Sequence, residues 1–162
     1  AAAACCECCE RGQQEMGGEF INVGRCSGSK LSAEQQAEIQ SKKRGGFDRF
    51  VARGYFYLAL ENANCEGYIT EKLGRALVAG VVPVVFDARL PSGGPRRPGY
   101  STLLPPGSYV NVADFASPAA LASHLRAVAA NQTAYTAHLW AHNLNASQVR
   151  SPASRRPPPP IA

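Results

Sequence analysis

Lys72 breaks a local electrostatic rule. It lies in Tyr68-Ile69-Thr70-Glu71-Lys72, where a helical pattern opens after a short polar loop. A cation in a first helical turn faces the positive end of the peptide dipole and is unfavourable by about 0.3 to 1 kcal/mol. A bound phosphate would remove the conflict, because helix N-termini and ammonium groups both attract anions. The alternative is an ammonium stretched into solvent and loosely paired with Glu71 or Glu66. Glu71 needs less explanation, since an acid in the first turn complements the dipole. As a functional group it would accept hydrogen bonds from ribose hydroxyls. Tyr68 would donate its hydroxyl to a phosphate or pack as a loop aromatic. Asn62, just past a strand, would hold the loop through backbone bonds or face a ligand. Tyr57 lies within the strand, where core packing is the default and a ligand contact needs its hydroxyl to reach the strand end. Glu61 is read as structural, turned into the loop.

The elements that must position these residues are legible in the surrounding sequence. Tyr55 to Leu60 is an apolar run without alternation, as for a strand covered on both faces. A helix from Glu71 carries Leu73, Ala76, Leu77 and Gly80 on one face, with Thr70 as its N-cap and Gly80 as its stop. Val81 to Phe86 begins a second buried strand, although Pro83 argues against a central place because it lacks a ladder donor. The unit is strand, loop, helix, strand, with a connection long enough for a parallel crossover. Ligands of such units sit where strands end and helices start.

Upstream, Phe20 to Val23 reads as a short strand and Leu31 to Lys43 as a surface helix. Phe47, Phe50 and Val51 form one helical turn on the core. Downstream, Arg89 to Gly99 is a Pro/Gly-rich loop and Ser108 to Val112 a short strand. Ser117-Pro118 starts a helix bearing Leu121, Leu125 and Val128. Thr133 is expected to cap a last helix with Tyr135, Leu139 and Trp140. The division expected is a low-complexity, disordered tail over 1–18, an α/β domain over 19–146 and a Pro/Arg-rich tail over 147–162.

At 162 residues and 45% apolar content the chain supports one ordinary core. Its net charge of +5 suits an anionic partner. However, Arg96-Arg97 and Arg155-Arg156 sit among Pro and Gly, and no basic-aromatic interleaving marks a nucleic-acid surface. Nucleic acid is therefore not an expected partner. No stretch reaches the roughly 18 to 20 apolar residues of a membrane span, and no secretory signal opens the chain. Cys5, Cys6, Cys8 and Cys9 show C-x2-C spacing without a second pair or a nearby histidine, so no metal site is assigned. Cys26 and Cys65 are either buried thiols or disulfide partners. No G-x-G-x-x-G, P-loop or G-x-S-x-G pattern occurs. His138 and His142 share metal-ligand spacing, but Leu139 stands where a metalloprotease needs Glu, and both are read as surface or packing residues. Asn131-Gln132-Thr133 and Asn145-Ala146-Ser147 fit the N-glycosylation pattern of a lumenal protein.

Several linked motifs lie in order over the central stretch. They are Phe56-Tyr57-Leu58-Ala59-Leu60-Glu61-Asn62, Asn64-Cys65-Glu66, Tyr68-Ile69-Thr70-Glu71-Lys72-Leu73 and Gly80-Val81-Val82-Pro83-Val84-Val85. Together they closely resemble the donor-binding core of α1,3-fucosyltransferases, with weaker similarity over about residues 20 to 142. The resemblance implies an α/β, Rossmann-like parallel sheet with flanking helices, the C-terminal half of a GT-B glycosyltransferase. It implies GDP-fucose as donor substrate, no covalent cofactor, and inverting transfer to a GlcNAc-containing glycan. By position, Lys72 and Tyr68 would contact the diphosphate, Glu71 would bind ribose or the fucose region, and Tyr57 and Asn62 would shape the GDP pocket. Departures fall at Leu60, Gly67, Gly74 and Asp87, where the family usually has Phe, an acid, a bulky aromatic and Gly. They bear on packing and donor affinity. The family's acceptor domain, which carries the catalytic base, matches no stretch here. Neither does its phosphate-gripping Arg or its membrane anchor. The chain is thus expected to be a fragment of a Golgi lumenal, membrane-anchored parent. A non-catalytic GDP-sugar-binding module and a basic interaction protein are the alternatives.

Overall fold

Val82–Val85 form strand β2, and all four residues are buried. A strand with no polar face needs cover on both sides, and among the described residues β2 is the middle of a three-stranded parallel sheet in the order β1-β2-β3. The computed structural model of the chain describes residues 15, 21, 23, 31–41, 45–62, 68–87 and 99–139. Strand β1 is Phe56–Leu58 and β3 is Val110–Asn111. Tyr57 pairs with Pro83 in the first ladder, and Val84 with Val110 in the second. The helices are α1 (Ala33–Gln40), α2 (Gly46–Val51), α3 (Glu71–Ala79), α4 (Tyr100–Leu103), α5 (Pro118–Ala130) and α6 (Gln132–His138). A 3-10 turn over Val112–Asp114 follows β3.

The period of two divides the strands between two helical layers. Phe56, Leu58, Val82, Val84 and Val110 pack with Leu125 and Val128 of α5 and Tyr135 of α6. On the other face Ala59 and Val85 pack with Leu73 of α3 and Tyr100 of α4, and Tyr57 joins them. Val81 meets Ala76 and Ala79 of α3 and Val51 of α2. Helices therefore cover both faces, which is the α/β arrangement with flanking helices that the sequence predicts. Tyr135 braces the first layer. Its hydroxyl donates to the Tyr55 carbonyl at 2.9 Å, and its ring meets Tyr55 and Phe56 edge-on, with centroids 5.0 and 5.9 Å away. Burial, helped by Tyr55, pushes its phenol up to about 12, so it stays a neutral donor.

Four expectations change. Pro83 does occupy the central strand. Val82 N–H donates to the Tyr55 carbonyl of the β1 side, so alternation turns the donorless nitrogen of Pro83 toward β3, whose pairing starts only at Val84. Ile21 and Val23 lie in no strand, and Ile21 is 54% exposed, while Phe20 and Asn22 lie outside the described residues. Asn131, not Thr133, caps α6, because its side-chain oxygen accepts from Ala134 N–H at 3.0 Å. Thr70 holds the N-cap position of α3 but its side chain makes no capping bond. Other ends fall where their chemistry predicts. Ser117 caps α5 and Gly80 ends α3 at a left-handed φ of 73°. The surface helix is shorter than expected, opened by a Ser32–Gln35 capping box, and buries no residue. Trp140 and the tail over 147–162 lie outside the described residues, as does the N-terminal tail apart from Glu15.

Two glycines give opposite expectations. A methyl group on Gly46 would land on the Glu38 backbone carbonyl, because α2 starts tight against the end of α1. Gly74 is exposed in the middle of α3 with nothing within 4 Å of an added Cβ. Gly74→Ala should raise stability by about 0.5 to 1 kcal/mol. Gly46→Ala should lower it by about 1 to 3 kcal/mol. Denaturant unfolding of both variants checks the pair, and equal shifts of the same sign would contradict this packing.

Candidate functional site

All three strands run the same way, so their C-terminal ends open on one edge. Glu61 follows β1, Asp87 follows β2, and Asn111 ends β3. Asn111 ties two of these ends together. Its side-chain oxygen accepts from Asp87 N–H at 3.0 Å and Ala113 N–H at 3.2 Å, and its amide donates to the Asp87 carbonyl at 3.3 Å.

At β1 the tie runs to a helix instead. The Glu61 carboxylate accepts from Thr70 N–H at 2.8 Å, from the Thr70 hydroxyl at 2.7 Å, and from the Lys72 ammonium at 2.9 Å. The Thr70 hydroxyl is turned toward Glu61, and its oxygen makes no bond to the first-turn amides of α3. The Glu61 side chain is 7% exposed and that of Lys72 22%. Burial opposes ionisation of Glu61, but the Lys72 and Thr70 hydrogen bonds and the Lys72 charge outweigh it and hold the carboxyl below its ordinary value. Burial likewise opposes the Lys72 charge, and Glu61, then Glu71 and Tyr68, overcome it and raise the ammonium. Lys72 is therefore neither stretched into solvent nor paired mainly with Glu71. Its partner is Glu61, eleven residues back across the crossover, and Glu66 lies outside the described residues.

Lys72 lies in the first turn of α3 beside Glu71, with Tyr68 two residues before the N-cap, and the charges of both help to raise the ammonium. Tyr68 is 45% exposed, and Glu71 and Asn62 are exposed. Tyr57 packs with Ile69 and Leu73 beneath this edge. It is half-buried four residues before Glu61, with its ring edge-on to Phe47 at 6.4 Å. Glu71 also lines a shallow groove of about 220 Å³ with Asp48, Gly74, Arg75 and Val78 on the outer side of α3. Arg75 is occupied there, bonded to Asp48 at 2.9 Å and stacked over Phe47 at 4.6 Å. That groove is smaller than the roughly 300 Å³ at which ligand pockets begin.

Tyr100 is an edge residue that no motif marks. It is 5% exposed, packed on Ala59, Leu73 and Val85. Burial, with the charges of Glu61 and Asp87, pushes its phenol up to about 12. It packs over the ends of β1 and β2 and stays a neutral phenol. A lone tyrosine after a Pro/Gly-rich loop carries no sequence signal for this place.

Among the described residues no group of three His, Cys, Asp or Glu side chains is arranged for a metal, and no helix is long and apolar enough to cross a membrane. All six cysteines, His142 and Asn145 lie outside the described residues. His138 packs edge-on against His124, and its Nδ1 donates to the Gly107 carbonyl at 2.8 Å. Asn131 spends its side-chain oxygen on the α6 cap.

Residues 19–156 match the C-terminal part of the family described as glycosyltransferase family 10 (fucosyltransferase). The chain belongs to glycosyltransferase family 10. It is 41% identical over 102 residues to alpha-(1,3)-fucosyltransferase 4 of Bos taurus, covering 62% of this chain and 24% of that protein. It is 43% identical to alpha-(1,3)-fucosyltransferase C of Drosophila melanogaster, over 53% of this chain and 18% of that protein. GDP-fucose protein O-fucosyltransferase 3 of Bos taurus is 36% identical over 75% of this chain and 24% of its own length. This family 10 chain thus spans about a quarter or less of the curated relatives it matches. A solved alpha1,3-fucosyltransferase with GDP-fucose aligns with a TM-score of 0.47 and 25% identity over 60% of this chain and 26% of that one.

The Glu61 environment has a pH signature. Its folded-state pKa lies below the ordinary 4.5, so its contribution is present above that value and lost as pH falls through the folded one. The stability advantage of the wild type over Glu61→Gln should therefore be full near neutrality and vanish in acid. Thermal unfolding of both across about pH 3 to 7 tests it. A gap that stays constant with pH would refute the ionic tie.

Proposed function

We propose that this chain carries the donor-binding part of an α1,3-fucosyltransferase that uses GDP-fucose. The observation that carries the reading is the Lys72 ammonium, set in the first turn of α3 at the C-terminal end of β1 in a family 10 chain. Lys72 and Tyr68 would contact the diphosphate, and Glu71 the ribose or the fucose. Asn62 would border the GDP pocket. Tyr57 would shape that pocket from within the core, by holding β1 against α2 and α3.

The chemistry follows from charge. In inverting transfer an acceptor hydroxyl attacks the anomeric carbon of fucose as its bond to the diphosphate breaks. Negative charge builds on the departing GDP, where a fixed ammonium and a hydroxyl donor lower the barrier. The hydroxyl proton goes to a general base, which the acceptor-binding half of such enzymes supplies. The parent is read as a membrane-anchored Golgi enzyme acting on a GlcNAc-containing glycan. A second acceptor reading, a protein hydroxyl, is favoured by the likeness to a GDP-fucose protein O-fucosyltransferase, which covers more of this chain than the other two relatives do.

Calorimetric titration with GDP and GDP-fucose tests the donor site. Lys72→Ala should weaken GDP binding by about tenfold or more, the weight of a charge-assisted phosphate contact, while circular dichroism stays folded. Equal affinity in wild type and variant would end the assignment. Transfer assays with glycan and peptide acceptors distinguish the two acceptor readings, and binding without turnover on either would mark a non-catalytic module.

A further inference from the structure

Glu61 carries an ionised carboxylate at the edge where an anion is to bind, and charge alone makes that unfavourable. Its surroundings give the reason. The side chain is 7% exposed, and three donor groups from α3 and its N-cap converge on it. Its charge is matched from within, so little of it is projected outward. Turning the carboxylate would strand an oxygen without a donor, so the group is fixed in one orientation.

The ammonium it holds is otherwise a poor anchor. Lysine ends a stem of four rotatable bonds, and freezing that stem is an entropic cost. An ammonium has three protons. One is directed at Glu61 at 2.9 Å, Thr70 Oγ1 is a long contact at 3.4 Å, and the side chain keeps 22% of its surface open at the edge. Glu61 thus orients Lys72 and leaves it donor capacity for something else.

We propose that Glu61 is a positioning residue: it holds the Lys72 ammonium at the end of β1 in the orientation that a nucleoside diphosphate meets, and it keeps that bond when the ligand is bound. The inference rests on the donor-site reading above. It opposes simple charge counting. Removing a negative charge beside an anion site should tighten binding, whereas losing the anchor should weaken it. The anchor dominates here, because the carboxylate's charge is already compensated while the ammonium's one short hydrogen bond among the described residues is to Glu61.

The experiment is GDP titration of the full chain as wild type, Glu61→Gln, Glu61→Asp and Lys72→Ala. Glu61→Gln should bind GDP about tenfold more weakly, comparable with the loss of one charge-assisted contact. Glu61→Asp, which keeps the charge, should recover most of that loss. A Glu61→Gln variant that binds GDP as tightly as wild type, or more tightly, overturns the proposal. Should that variant not fold, the wild type decides. Lys72 is one of four lysines, so its ammonium signal can be assigned in nitrogen-15 lysine NMR against Lys72→Arg. A slowly exchanging Lys72 ammonium before and after GDP saturation is expected. Its absence in the free protein, or its loss on saturation, overturns the anchor. No GDP binding by wild type, or undiminished binding by Lys72→Ala, defeats the donor-site reading itself, and the inference falls with it.

Discussion

One buried carboxylate joins the end of a strand to the start of a helix. Glu61 takes Thr70 N–H, the Thr70 hydroxyl and the Lys72 ammonium at once, and so sets how the crossover between β1 and α3 closes. The arrangement has a local cost and a local gain. Thr70 loses its role as an N-cap, so the first turn of α3 keeps its amides free of a side-chain oxygen. Lys72 gains a fixed place at the edge where a cation would otherwise be repelled by the helix dipole. An electrostatic irregularity in the sequence thus becomes a satisfied pair in the fold, with polarity still facing the strand ends.

The sheet behind this edge is small, and its burial makes it rigid. Every residue of β2 is inaccessible, and the two faces are sealed by different helices. Pro83 sits in the middle because the ladder on its donorless side has not yet begun. Asn111 and Tyr135 complete the frame with hydrogen bonds to backbone groups, one across the ends of β2 and β3 and the other at the entry to β1. Polar groups held this way restrict the edge to one geometry. Tyr100 adds an apolar roof over the ends of β1 and β2 and stays a neutral phenol.

Family membership and edge geometry bear on different parts of the functional reading. The match over residues 19–156 places the chain in glycosyltransferase family 10, while the bond between Lys72 and Glu61 at the end of β1 is independent of any relative. The relatives' names differ, one giving an alpha-(1,3) linkage and another a protein acceptor, so acceptor choice is the part of the proposed reading that this edge does not govern.

Much of this architecture was readable in the residues alone. Apolar runs at Tyr55 to Leu60 and Val81 to Phe86, the stop at Gly80, and the Ser117-Pro118 start all follow from local rules, since burial period and capping chemistry act over a few positions. The same local reasoning singled out Lys72 as an irregularity. Its partner was not readable, because Glu61 and Lys72 are eleven residues apart and meet only when the crossover folds back. For the same reason Pro83 looked misplaced, since the side on which a strand lacks a donor depends on which neighbour lies there. Tyr100 had no motif, and only packing over two strand ends gave it a place. Local sequence determined which elements form and which charge was out of place; the tertiary structure decided what that charge touches, because contacts across a sheet edge exist only between segments the chain has first brought together.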